Sequence, residues 1–259
     1  KPFGSTRVAI FDQRDRRHGA GLRKQRAQII FGGVIRQIPN SITCCNLISG
    51  CMATGAAFYG NYSWAFLLIV IGAVFDFFDG MMARALDAHS IIGKDLDSLA
   101  DDVSFGVAPS LIVFSLFKEM DYSGAMESLA GVFPYLAFLL SVFSALRLAK
   151  FNNDTRQTSS FVGLPVPANA LFWASLVTGA HDWLVSSNFH PVYLLLLVCL
   201  FSWLLVSEIP MFSLKFKNLS WKDNKTSFIF LLVCIPFLIF LGICSFSAII
   251  VWYILLSLI

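Results

Sequence analysis

The chain has 259 residues, of which 57% are hydrophobic and 14% charged, and its mean hydropathy is +0.72. Soluble globular domains carry roughly a quarter of their residues as charges, so this balance excludes an ordinary soluble enzyme, a disordered chain and a small disulfide scaffold. An all-α polytopic integral membrane protein remains, and at about 20 residues per span plus short connections the length fits about six to eight transmembrane helices, of which the apolar runs below give eight.

Before Ile38 the composition is basic. Lys1, Arg7, Arg14, Arg16, Arg17, Arg23, Lys24, Arg26 and Arg36 stand against Asp12 and Asp15. The stretch from Leu22 to Ile38 reads either as a basic amphipathic helix on an anionic leaflet or as a solvated tail. The first strongly apolar run begins only after Arg36, with no small-residue cleavage pattern in its flank, so no cleavable leader is expected. Apolar runs then follow at 38–59, 62–84, 93–117, 131–150, 165–186, 190–208, 226–242 and 243–259. The last two are continuous, and a break near Gly242 to Ser245 would fold them into a hairpin. With the N-terminus in the cytoplasm, every lysine and arginine except Lys118 falls in the tail or in inside loops. So lopsided a distribution supports the span count and places both termini in the cytoplasm. The six cysteines lie in apolar runs without metal-ligand spacing and are expected to be small buried hydrophobes. None of the four histidines is expected to be catalytic, and Trp64, Trp183 and Trp221 are expected to sit near membrane interfaces.

Chemistry concentrates between the second and third runs. Asp76, Asp79, Gly80 and Ala83 share one face of the second predicted helix. Gly93, Asp97, Asp101 and Ser104 share one face of the third. Asp95 and Asp102 point away from that face, and Asp87 falls in the following loop. Ionisable groups at membrane depth are costly, so they are functional candidates by default. If the two faces meet, four carboxylates gather, and like charges that close need compensation. Two divalent cations would neutralise them, and all-oxygen ligation suits Mg2+ or Mn2+. Paired cations also recur where attacking and leaving oxygens of a phosphoryl displacement must be stabilised. Gly80, Ala83 and Gly93 leave room for a bulky ligand near the backbone, and Arg84 offers a planar fork to phosphate oxygens. The competing reading is a transporting bundle whose carboxylates bind a passing cation, which leaves the order of Gly80, Ala83 and Arg84 without a role.

The string from Asp76 to Asp101, DxxDGxxARx8GxxxDxxxD, resembles the signature of the CDP-alcohol phosphotransferase superfamily, with all eight fixed identities in place over 26 positions. Flanking stretches resemble the membrane phosphatidylserine synthase branch. They are Ile38 to Asn46, Asp97 to Pro109, Arg147 to Asn152 and Phe161 to Asn169; Asp102 departs from the apolar residue usual there. The resemblance covers roughly residues 37 to 220. It implies a six-helix core at 38–208 with a polar cavity facing the cytosol, preceded by the tail at 1–37 and followed by a basic loop and hairpin at 209–259. It also implies a homodimer in a membrane, the bacterial inner membrane being expected, and no nucleic-acid partner.

Carried over by position, the resemblance implies that Asp76, Asp79 and Asp97 hold one cation and Asp76, Asp97 and Asp101 a second. Asp101 would also be the general base. Gly80, Ala83, Arg84 and Gly93 would line the CDP site, closed by Asn40 and Thr43. The implied substrates are CDP-diacylglycerol and L-serine, giving phosphatidylserine and CMP by direct attack of the serine hydroxyl. Serine would be read by Arg147, Lys150, Asn152 and Arg156, with Asn169 a further polar candidate. The alternatives are a sibling enzyme with another acceptor, such as glycerol 3-phosphate, inositol phosphate or an aminoalcohol, and the cation transporter.

Overall fold

Caps and prolines delimit the helices of the computed structural model, which describes residues 37–87, 91–122, 124–153, 161–211 and 225–258. The basic tail, Arg156, Trp221 and the lysines at 215, 217 and 222 lie outside these residues. Helix α1 is Gln37–Phe58, α2 is Tyr62–Ala85, α3 is Ile92–Glu119 and α4 is Phe133–Asn153. Asn61 caps α2 by accepting from the Trp64 N–H at 3.3 Å. Helix α5 is Val166–Val185, entered through Pro165 and Pro167. Helix α6 is Pro191–Val206, capped by His190. Prolines here occupy first-turn positions whose N–H would have no partner in the helix. Helix α7, Lys225–Phe240, and α8, Ser245–Ser257, are separated by a 3-10 turn at Gly242–Cys244, where Gly242 has φ +53°. The long C-terminal apolar stretch therefore breaks at the glycine.

The extended backbone among the described residues amounts to two short strands. Phe161–Val162 (β1) pairs antiparallel with Pro210–Met211 (β2). The molecule is thus an all-α polytopic membrane protein, in which α1 to α4 are long and apolar enough to cross a membrane and α6, α7 and α8 are shorter apolar helices.

Helix α5 lies at the centre, packed against α2, α3 and α8. Its Trp173 is fully buried, and Phe172 stacks on Phe201 of α6 with ring centroids 3.9 Å apart. Helix α3 is π-helical from Asp102 to Val107, and the Ala108 N–H reaches back to Val103 O. Pro109 follows immediately; it has no N–H to offer Phe105 O, so the regular ladder cannot continue there. The wider turn rotates the deeper half of α3 relative to the half that carries Asp97 and Asp101. One expectation is corrected: Cys44, Cys45, Cys51 and Cys199 are exposed on the bundle surface, and only Cys234 is buried. In a membrane bundle an apolar run supplies the outward surface as well as the core, because lipid is as apolar as leucine.

Candidate active site

The site is built where α1, α2 and α3 meet. Gly50 of α1 lies against α3 so closely that a Cβ there would sit 2.7 Å from Ser104 Cα and 2.9 Å from Ser104 N. Ser104 Oγ donates to Asn46 O at 3.0 Å, and Gly72 of α2 leaves space for Asn46 Oδ1, 3.0 Å from where its Cβ would be. Small residues thus let three backbones close around one buried amide. Asn46 uses this position to donate from Nδ2 to Asp101 Oδ1 at 3.0 Å.

The carboxylates converge. One oxygen each from Asp76, Asp97 and Asp101 lie within 4.8 Å of one another. Asp79 stands outside this tight group but within electrostatic range of all three. Thr43, whose hydroxyl donates to Pro39 O at 3.1 Å, stands beside Asp79. At such separations each charged pair repels by about 3 kcal/mol even at an effective dielectric near 20. Among the described residues no ion pair joins these aspartates to Arg84 or Lys94. Asp79 Oδ2 and Asp97 Oδ1 are buried and have no hydrogen-bond partner. Unpartnered buried carboxylate oxygens beside a compact all-oxygen donor set fit a hard divalent cation.

A cleft opens from this group between the ends of α1, α2 and α3. Asn40, Thr43, Gly80, Ala83, Arg84 and Gly93 all line it, together with Asp79, Asp97, Pro39 and Lys94. The Arg84 guanidinium lies over Gly80, where a Cβ would meet Nη1 at an ordinary contact distance of 3.5 Å. Asp102 sits elsewhere. Its carboxylate tucks against Gly106 and Ser144, on the side facing α4.

The candidate acceptor residues divide among different surroundings. Arg147 is buried, 7% exposed, and donates from Nη2 to Gly163 O at 3.3 Å while its Nε has no partner. Lys150 turns outward to Glu208 at 3.3 Å. Asn152 donates to Ser98 Oγ at 2.7 Å, and its carbonyl accepts from Lys94 at 2.8 Å, tying α4 to the start of α3. Arg156 lies outside the described residues. Asn169 is fully buried, and neither amide atom has a hydrogen-bond partner.

Sequence reasoning gave no role to Asn46 or Lys94. Asn46 was accessible by spacing, because positions 40, 43 and 46 recur at helical period on one face. Lys94 carried no signal beyond its place next to Gly93.

A family model described as CDP-alcohol phosphatidyltransferase matches residues 36–205. The chain is 37% identical over 172 residues to the CDP-diacylglycerol–serine O-phosphatidyltransferase of Bacillus subtilis (strain 168), covering 66% of this chain and 88% of that one. It is 36% identical over 135 residues to the enzyme of the same name from Helicobacter pylori (strain J99), covering 51% of this chain and 54% of that one. It is 32% identical over 149 residues to the archaetidylserine synthase of Methanothermobacter thermautotrophicus, covering 56% and 60%. The chain thus spans most of the Bacillus relative and little more than half of the other two.

Proposed function

This chain belongs to the CDP-alcohol phosphatidyltransferase family, and we propose that it transfers the phosphatidyl group of CDP-diacylglycerol to L-serine, releasing CMP. The observation that carries this reading is the convergence of Asp76, Asp97 and Asp101 beside a cleft lined by the other signature residues. The relatives' names support serine as acceptor.

Asp76, Asp79, Asp97 and Asp101 would hold two divalent cations, Mg2+ or Mn2+. When bound, these offset the diphosphate charge and the charge that develops on departing CMP. The chain's own residues do the remaining work. Arg84 binds phosphate oxygens, Gly80, Ala83 and Gly93 admit the nucleotide, and Asn40 and Thr43 close over it from α1. Asn46 fixes the Asp101 carboxylate through one oxygen and leaves lone pairs on the other. Asp101 takes the proton of the serine hydroxyl as that oxygen bonds to the lipid-side phosphorus and the bond from phosphorus to CMP breaks. A serine hydroxyl is a weak nucleophile at neutral pH, so a positioned base is required. Arg147 is the favoured partner of the serine carboxylate, because its buried Nε still has a proton to donate.

The same reading places the core at 38–208, with the tail before it and the hairpin after it. It puts the cleft on the cytoplasmic side of a bacterial inner membrane, with both termini cytoplasmic. Arg84, Lys94, Lys150 and Lys225 support this, since they mark the helix ends on one side and cytoplasmic ends are enriched in such residues. The reading includes a homodimer, which sedimentation in detergent tests. The activity is tested by following CMP release from CDP-diacylglycerol. Release that needs both L-serine and a divalent cation is expected; equal release without serine would overturn the assignment.

A further inference from the structure

A ring of hydrogen bonds ties the start of α3 to the last turn of α4, and one member of it lies on the wall of the cleft. Lys94, in the first turn of α3, donates from Nζ to Asn152 O at 2.8 Å. Asn152 Nδ2 donates to Ser98 Oγ at 2.7 Å, and the Ser98 hydroxyl donates to Lys94 O at 3.2 Å. Ser98, four residues past Lys94, therefore faces α4. Asp97, three residues past it, lines the cleft. Both spacings bring side chains onto the face of Lys94, so Lys94 stands on the edge between the α4 contact and the cleft. It lines the cleft itself, next to Gly93.

The ring leaves the charge of the lysine unanswered. Asn152 O is a neutral carbonyl, and an ammonium has three N–H groups to give. Among the described residues no ion pair joins Lys94 to a carboxylate. The side chain is exposed and carries its head on a flexible four-carbon stem, so the ammonium reaches a ligand in the cleft by turning about that stem. The ligand class follows from charge. Four carboxylates and two divalent cations sum to zero, whereas a diphosphate diester brings two negative charges. Arg84 answers one of them. Among the described residues that line the cleft, Lys94 is the other cation. A hydrogen bond to a charged phosphate oxygen is roughly twice as strong as one to a neutral acceptor, so phosphate wins the ammonium from the carbonyl.

We propose that Lys94 is a second phosphate-binding residue of the cleft, pairing with the diphosphate of the nucleotide substrate as a point charge beside the Arg84 fork. This rests on the reading of the cleft as the CDP site. It does not depend on which alcohol accepts the phosphatidyl group.

The test uses the full chain in detergent with Mg2+, and measures Kd for CDP by equilibrium dialysis and the thermal midpoint of each variant. Lys94→Gln keeps an N–H for Asn152 O and removes the charge; it is expected to raise Kd for CDP about tenfold. Lys94→Arg restores the charge and is expected to bind CDP within about threefold of the parent. Ser98→Ala breaks the ring without touching a charge. It is expected to lower the thermal midpoint and leave Kd for CDP within about twofold. A Lys94→Gln chain that binds CDP as the parent does would overturn the proposal. So would equal weakening in Lys94→Gln, Lys94→Arg and Ser98→Ala, which assigns the effect to the contact between α3 and α4 rather than to the charge. Arg84→Ala separates the two layers. If it weakens CDP binding while Lys94→Gln is silent, only the role of Lys94 falls; if it too leaves CDP binding unchanged, the reading of the cleft as the CDP site falls.

Discussion

Gly50→Ala parts α1 from α3 without touching a charged group. The added Cβ would stand 2.7 Å from Ser104 Cα and 2.9 Å from Ser104 N, which are backbone atoms and cannot rotate away. Carbon atoms rest at about 3.5–4.0 Å, so the helices must separate by about 1 Å. Asn46 lies one turn before Gly50 and moves with α1. Its bond to Asp101, now 3.0 Å, stretches to about 4 Å, past hydrogen-bonding range. The Ser104 bond to Asn46 O, also 3.0 Å, opens with it. Overpacking of this kind costs about 1–3 kcal/mol of stability, and a misplacement of about 1 Å costs about a hundredfold in rate. CMP release should therefore fall about a hundredfold, with a lowered thermal midpoint in detergent. Gly55→Ala is the control, because a Cβ there meets nothing within 4 Å, and it should keep full turnover. A Gly50→Ala enzyme within about twofold of the parent rate would refute the idea that this helix contact holds the base in place.

Further outcomes follow from the same geometry. Asp101→Asn should abolish serine-dependent CMP release and keep CDP-lipid binding, so near-normal turnover would remove Asp101 as the base. Asp79→Ala should lose cation-dependent binding of CDP-diacylglycerol in an equilibrium binding assay, and unchanged binding would contradict its place in the cation set. Asn46→Ala should lower kcat by about tenfold or more, the worth of a buried hydrogen bond to a charged group, with little change in KM for CDP-diacylglycerol. Equal losses in both parameters would instead indicate a general packing role.

The helices were legible because hydropathy reports them directly. The runs ending near residues 59, 84 and 117 become helices ending at Phe58, Ala85 and Glu119, and Gly242 interrupts the last run where its flexibility allows a turn. The acidic group was legible because helical spacing alone puts Asp76 with Asp79 and Asp97 with Asp101. What spacing could not give was the third wall. The contact of Asn46 with Asp101 spans 55 positions and depends on Gly50 and Gly72 being small enough for three helices to close. The π-helical segment was hidden too, although Pro109 carries its cause. The candidates on α4 were grouped by proximity in sequence, whereas a helix sends neighbouring positions to different faces. Arg147 turns inward to Gly163, Lys150 outward to Glu208 and Asn152 toward Ser98. The exposed cysteines make the same point about apolar residues, because a bundle in lipid has an apolar outside as well as an apolar core.

The most direct measurement is product identification by the purified chain in liposomes. It would be supplied with CDP-diacylglycerol, Mg2+ or Mn2+, and L-serine, glycerol 3-phosphate, inositol phosphate or an aminoalcohol in turn, with CMP and the new lipid followed by mass spectrometry. Phosphatidylserine formed with stoichiometric CMP, and only when serine and the cation are both present, is the expected result. A different phospholipid formed from another acceptor, with serine inert, would contradict the serine assignment and leave the acidic centre standing. Absence of CMP with every acceptor, from protein that binds the cation, would contradict phosphatidyl transfer itself.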